Sequence, residues 1–169
     1  GSYVIRFQDT GFWLAKYAAR KGYHKPTGTI ALNYCNNLRI FRYAETLLAY
    51  AELVGVEGVA EQKGISAQQC LDMVRDRAFG DTNHRVAVNK QNIINENHYE
   101  FVGEGHRYYD VVRWGITEVL NVGNVPGINS ARTWKSHNKY VAIPQGDIDA
   151  TKGTEFELKQ NEGYQSSIN

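Results

Sequence analysis

The chain of 169 residues is poor in everything that would mark a specialised class. Its 19 basic and 18 acidic side chains leave a formal charge of +1, so there is no cationic excess to neutralise a phosphate backbone, and nucleic acid is excluded as a partner. Only two cysteines occur, Cys35 and Cys70. Neither belongs to a Cys-x-x-Cys pair or a His/Cys run at zinc spacing, so neither a disulfide scaffold nor a zinc site is built in. Cys70 falls in a helical pattern and reads as a small buried hydrophobe. No stretch approaches the ~20 apolar residues of a membrane span, and the N-terminus has no basic region leading into an apolar run. Gly-x-Ser-x-Gly and His-Glu-x-x-His are both absent, which removes the usual signatures of a serine hydrolase and a zinc protease.

What is present is helical periodicity in the middle of the chain. Residues 3 to 34 are rich in glycine and aromatics and read as irregular, with a short turn of helix near Phe12 to Ala19. From Asn37 to Val54, apolar residues Phe41, Ala44, Leu48 and Ala51 recur at three and four, predicting a helix capped by Asn37 and stopped by Gly55. Ser66 and Gln69 have capping-box spacing, flanked by Ile65 and Cys70 at the staple positions, predicting a second helix over 66–79. A third is expected over 90–102. Gly103 and Gly105 then interrupt the pattern, since each glycine costs ~1 kcal/mol in a helix interior, before a fourth helix over 105–120.

After Leu120 the periodicity disappears until Tyr140-Val141-Ala142-Ile143, an extended segment before Pro144. The tail from Thr151 is polar and loop-like. The expected fold is mainly α: tetratricopeptide-like helical hairpins with long irregular loops, in one domain over residues 1–169. Gly1-Ser2 reads as a cloning scar.

Residues able to carry chemistry are few. Arg107, Asp110 and Arg113 are spaced at three, with His106 four before Asp110, which makes a ladder of alternating charge on a helix. Glu45 and Glu52 share a helix face ~10 Å apart along the axis, marginal for the ~5 to ~9.5 Å of a glycosidase pair, and Glu45 is expected to pair with Arg42. The five histidines have no ligand spacing, so no metal is expected, and Gly103-Glu104-Gly105-His106-Arg107-Tyr108 lacks the third glycine of a dinucleotide fingerprint. No catalytic residue and no cofactor are assigned.

Aromatics are the abundant class, with three Trp and eleven Tyr. Several lie outside the helical stripes, among them Tyr23 and Tyr34. An aromatic plane packs against the C–H face of a sugar ring while neighbouring Asn, Lys and Arg serve its hydroxyls, so Trp13, Trp134 and Tyr140 are the candidate ligand-contacting residues.

The segments Glu104-Gly105-His106-Arg107-Tyr108-Tyr109-Asp110-Val111-Val112-Arg113-Trp114-Gly115, Tyr140-Val141-Ala142-Ile143-Pro144-Gln145 and Lys159-Gln160-Asn161-Glu162-Gly163-Tyr164, with the upstream Arg42 to Glu52 helix, resemble in kind and order the C-terminal half of the SusD/RagB family. The resemblance implies a surface glycan-binding lipoprotein of a polysaccharide-uptake system, at the outer membrane of a Gram-negative bacterium. It implies capture of an oligosaccharide without bond chemistry and delivery to a SusC-like TonB-dependent transporter. Membrane attachment would come only through an N-terminal lipid anchor in the half that this sequence lacks. Two other functions stay open: a helical interaction module that binds a peptide or partner protein, and a glycoside hydrolase using Glu45 or Asp110.

Overall fold

The computed structural model describes residues 14–18, 20, 22–23, 28, 34–123 and 131–164. The described residues up to Tyr109 and those from Asp110 onward group into two compact units. The architecture is mainly α, with isolated β-bridges that pair Gln62 with Ile65 and Val122 with Arg132.

The first unit is built on α1 (Tyr43–Gly55), α2 (Ala67–Phe79) and α3 (Lys90–Glu100). Helices α1 and α2 form the expected hairpin, and α1 packs more extensively on α2 than on α3. Each helix supplies one apolar stripe: Leu47, Leu48 and Ala51 from α1, Cys70, Leu71 and Val74 from α2, Ile93 and Ile94 from α3, all buried. Packing such stripes together, rather than intrinsic propensity, makes helices of this length stable.

The capping box at α2 forms as expected. Ser66 Oγ accepts from the Gln69 amide at 3.1 Å, and Gln69 Oε1 accepts from the Ser66 amide at 2.8 Å. Replacing Ser66 by Ala should cost about 1 kcal/mol, readable as a shift in urea midpoint, and an unchanged midpoint would deny the cap any stabilising role.

Cys70 is 2% exposed in this core, as expected, while Cys35 is exposed, and both thiols are free. The connection into α3 is tied by Gln68, whose amide donates to Val86 O at 2.8 Å and accepts from the Val88 amide at 3.0 Å.

Helix boundaries differ from expectation in three places. Helix α1 starts at Tyr43 rather than after Asn37, because Arg42 is extended (φ −150°, ψ 160°) with its guanidinium committed elsewhere. Leu38, Ile40 and Phe41 are therefore exposed outside it. Helix α3 ends at Glu100, and residues 101–105 form a turn. The fourth helix, α4 (Arg107–Trp114), is shorter than expected because Gly115 adopts φ 70°, and Thr117–Leu120 continues only as a 3-10 helix.

In the second unit a fifth helix, α5 (Gln145–Thr151), follows Pro144 where no periodicity had marked one. Seven residues are too few for a stripe to register, and a proline just before the first turn is compatible with helix initiation.

A charged cluster ties the start of the described chain to the end of α3. Glu104 is 1% exposed at its side chain and accepts from Lys16 Nζ, from Arg42 Nε at 2.7 Å and from Arg42 Nη2 at 2.9 Å. Arg42 also reaches Glu100, which Arg77 meets at 2.6 Å from outside. The Arg42–Glu45 pair expected from sequence does not form. Glu45 instead has His106 Nδ1 4.0 Å from its Oε1. The i,i+3 pair Asp110–Arg113 does form, at 2.9 Å.

Candidate functional site

Of the three aromatic residues expected to contact ligand, Trp13 lies outside the described residues. Trp134 and Tyr140 both belong to the second unit, on either side of the 3-10 helix Ser136–Lys139. The chain reaches Trp134 through the Val122–Arg132 bridge, whose paired amides bond at 2.8 and 2.7 Å. The Trp134 amide then donates to Asn121 Oδ1 at 2.7 Å. The Trp134 side chain is half-buried, whereas Tyr140 is 49% exposed.

Tyr140 opens the extended segment predicted from its sequence, with φ −106° and ψ 159°. No strand among the described residues pairs with it. Side chains of the Gln160 to Tyr164 motif supply the bonds instead. Gln160 Nε2 donates to Ile143 O at 2.8 Å while its Oε1 accepts from the Ile143 amide at 2.9 Å. A carboxamide carries one donor group and one acceptor, so it satisfies both polar groups of one residue as a neighbouring strand would. Asn161 Nδ2 donates to Val141 O at 2.7 Å, and Tyr164 Oη to Tyr140 O at 2.9 Å.

The clasp closes on His137, whose ring meets Tyr164 edge-on at 4.9 Å. Gly163 makes that closure possible. Its φ is 84°, and a Cβ there would lie 2.4 Å from His137 Cγ. The sequence marked Gln160, Asn161, Gly163 and Tyr164 only as part of a resemblance. Their role as a surrogate strand was not legible, since Gln-Asn-Glu-Gly has no periodicity. An amide pair facing an unpaired apolar segment was the one available signal.

The result is an aromatic platform on a fixed backbone. The Lys139 ammonium stands 4.9 Å from the Tyr140 ring centroid, so one side of the ring carries a cation and the exposed remainder is available for stacking. Such a platform offers an apolar plane beside a hydrogen-bond donor.

The residues considered for hydrolysis are placed differently. Asp110 accepts from Arg113, Glu52 is 8% exposed among the α1 core residues, and Glu45 has His106 Nδ1 4.0 Å from its Oε1. No described helix is long and apolar enough to cross a membrane.

The sequence matches the SusD family over residues 5–164. SusD-like protein P25 of Formosa agariphila is 33% identical over 91 residues, 50% of this chain and 16% of that protein. Surface glycan-binding protein A from Bacteroides fluxus superposes with a TM-score of 0.82 at 55% identity, covering 96% of this chain and 34% of that one. Surface glycan-binding protein A from Bacteroides thetaiotaomicron, solved in complex with laminarihexaose, gives 0.77 at 43% identity over 95% of this chain and 32% of its own. This chain thus spans about a third of the length of those structures. With nearly all of its residues matched by one family and its helices superposing on solved relatives at up to 55% identity, the chain belongs to the SusD family.

Proposed function

We propose that this protein captures glycan chains at the cell surface, by contact alone, as part of an outer-membrane uptake system. The observation that carries the reading is likeness, at 43% identity over 95% of the chain, to a surface glycan-binding protein solved in complex with laminarihexaose. The clasped Tyr140 platform supports it, because a half-exposed ring with a lysine across it suits a sugar's C–H face and its hydroxyls. Trp13 and Trp134 are proposed as further contacts. Handover to a SusC-like TonB-dependent transporter, attachment by a lipid anchor on another part of the protein, and the absence of catalysis are parts of the same proposal.

The test is retardation in gels containing laminarin, with a reducing-sugar assay run alongside. The wild-type chain should be retarded and release no sugar. Tyr140→Ala should weaken binding about fivefold, the equivalent of ~1 kcal/mol of lost stacking. Undiminished retardation of Tyr140→Ala would remove Tyr140 from the site, and sugar release would restore the hydrolase reading.

One observation favours the interaction-module reading. A shallow, mostly apolar concavity of about 400 Å³ lies on α1 and α2, lined by Tyr43, Leu47, Met73 and Val74 between Arg42 and Arg77. If the chain captures no glycan yet binds helical peptides there, that reading replaces the first.

A further inference from the structure

The helical unit holds an open basin of about 470 Å³ that neither Trp134 nor Tyr140 lines. It forms where residues 16–18, 20 and 22–23 lie beside residues 35–39. The Cys35 amide donates to Tyr23 O at 3.2 Å, the Tyr23 amide closes a turn onto Arg20 O at 3.0 Å, and Asn36 Nδ2 reaches Tyr17 O at 3.4 Å.

One wall is fastened to the scaffold. Lys16, on the 3-10 helix Ala15–Tyr17, places its ammonium on the buried Glu104 carboxylate and on Glu100 O at 2.7 Å. The preceding Leu14 packs so close to Gly103 that a Cβ there would lie 2.3 Å from a leucine methyl. The glycine that interrupts the helical pattern is therefore the seat of the basin wall.

The lining has a consistent chemistry. Tyr17 and Tyr23 supply ring faces, Tyr23 being 64% exposed, and Arg39 stands 5.6 Å from the Tyr17 centroid. Arg20, Asn37 and Arg39 supply donors, and among the described lining residues there is no carboxylate. Arg20 and Asn37 have no hydrogen-bonding side-chain partner among the described residues. A donor-rich, aromatic concavity whose described lining carries no carboxylate fits a ligand with many acceptor oxygens and an apolar ring face, and the volume lies within the ~300 to ~1,000 Å³ of ligand pockets.

We propose that this basin is a second saccharide-contact site, separate from Tyr140, that takes neutral or acidic sugar rings and disfavours aminated ones. The cations Arg20 and Arg39 give it that sign preference, since Lys16 is already paired with Glu104 and a protonated amino sugar would meet like charge with no carboxylate among the described lining residues. The proposal rests on the glycan-capture reading and adds a site and a charge selectivity to it.

The experiment titrates the full chain with three hexameric probes: laminarihexaose, an oligouronate and a glucosamine oligomer. Tyr23→Ala and Arg39→Gln are compared with wild type and with Tyr140→Ala. Both basin positions are exposed, so the variants should fold, as circular dichroism would verify. Tyr23→Ala is expected to weaken laminarihexaose at the basin about fivefold and leave binding at Tyr140 unchanged, while Tyr23→Ala/Tyr140→Ala weakens both binding events. Arg39→Gln should weaken the oligouronate more than the neutral hexamer, with an effect that shrinks in salt.

If wild type binds laminarihexaose, Tyr140→Ala weakens it and both basin variants match wild type on every probe, the basin proposal is overturned while glycan capture stands. If wild type binds none of the probes, both fall. Glucosamine oligomer binding as tight as laminarihexaose and dependent on Tyr23 would overturn the charge selectivity.

Discussion

Replacing Glu104 by Leu is expected to lower the unfolding free energy by about 3 kcal/mol, the low end of what breaking a buried ion pair costs. The low end applies because Arg42 keeps Glu100 and its position 4.7 Å from the Phe101 ring centroid, while Lys16, 30% exposed at its side chain, partly regains water. Urea unfolding measures the effect. A loss below ~1 kcal/mol would mean that the cluster is solvated and energetically idle.

The same carboxylate gives the protein an acid limb. Burial alone would raise its pKa, but hydrogen bonds from Arg42 and Lys16, with their charges, more than offset this and hold it at about 2 instead of the ordinary 4.5. The folded-state value is depressed, so the stabilisation is fully present above 4.5 and is lost as pH falls toward 2. Wild type should lose stability over that window. Glu104→Leu should be flatter there, and parallel curves for the two proteins would contradict the assignment.

Gly163→Ala is expected to cost roughly 2–5 kcal/mol, combining about 1–2 for a side chain at positive φ with 1–3 for overpacking. The first part follows from φ 84°, the second from a Cβ placed 2.4–2.5 Å from three His137 side-chain atoms. His137 is packed edge-on against Tyr164, so it cannot yield without releasing the ring whose hydroxyl holds Tyr140 O. The expected readouts are a lowered melting temperature and a loss of laminarin retardation at least as large as that of Tyr140→Ala. A variant with wild-type melting and retardation would show that the clasp neither stabilises the unit nor orients the ring.

Where a local rule alone decides structure, the sequence was sufficient. Ser66 and Gln69 satisfy each other's backbone within four residues, so the start of α2 follows from spacing. The stripes of α1, α2 and α3 follow from the 3.6-residue period, because the faces carrying Leu48, Leu71 and Ile93 have to be buried whatever they meet. The resemblance named the family for the same reason, since its segments are short and ordered along the chain.

Long-range partners were not legible. Arg42 had Glu45 within helical reach, yet its guanidinium chose Glu100 and Glu104, about sixty residues away, where a buried pair of carboxylates requires it more. That choice also fixed the start of α1 at Tyr43. Gln160 and Asn161 read as loop polarity, and only the chain's return beside Tyr140 to Ile143 turned them into a substitute strand. The basin depends on Tyr17, Tyr23 and Arg39 coming together around Asn36, and no periodicity encodes that. The sequence by itself determined the apolar stripes of α1, α2 and α3, the near-neutral charge and the family resemblance. The tertiary structure decided which charges pair, which backbone groups the side chains satisfy and where aromatic rings stand exposed, because those depend on desolvation and on contacts between residues far apart in the chain.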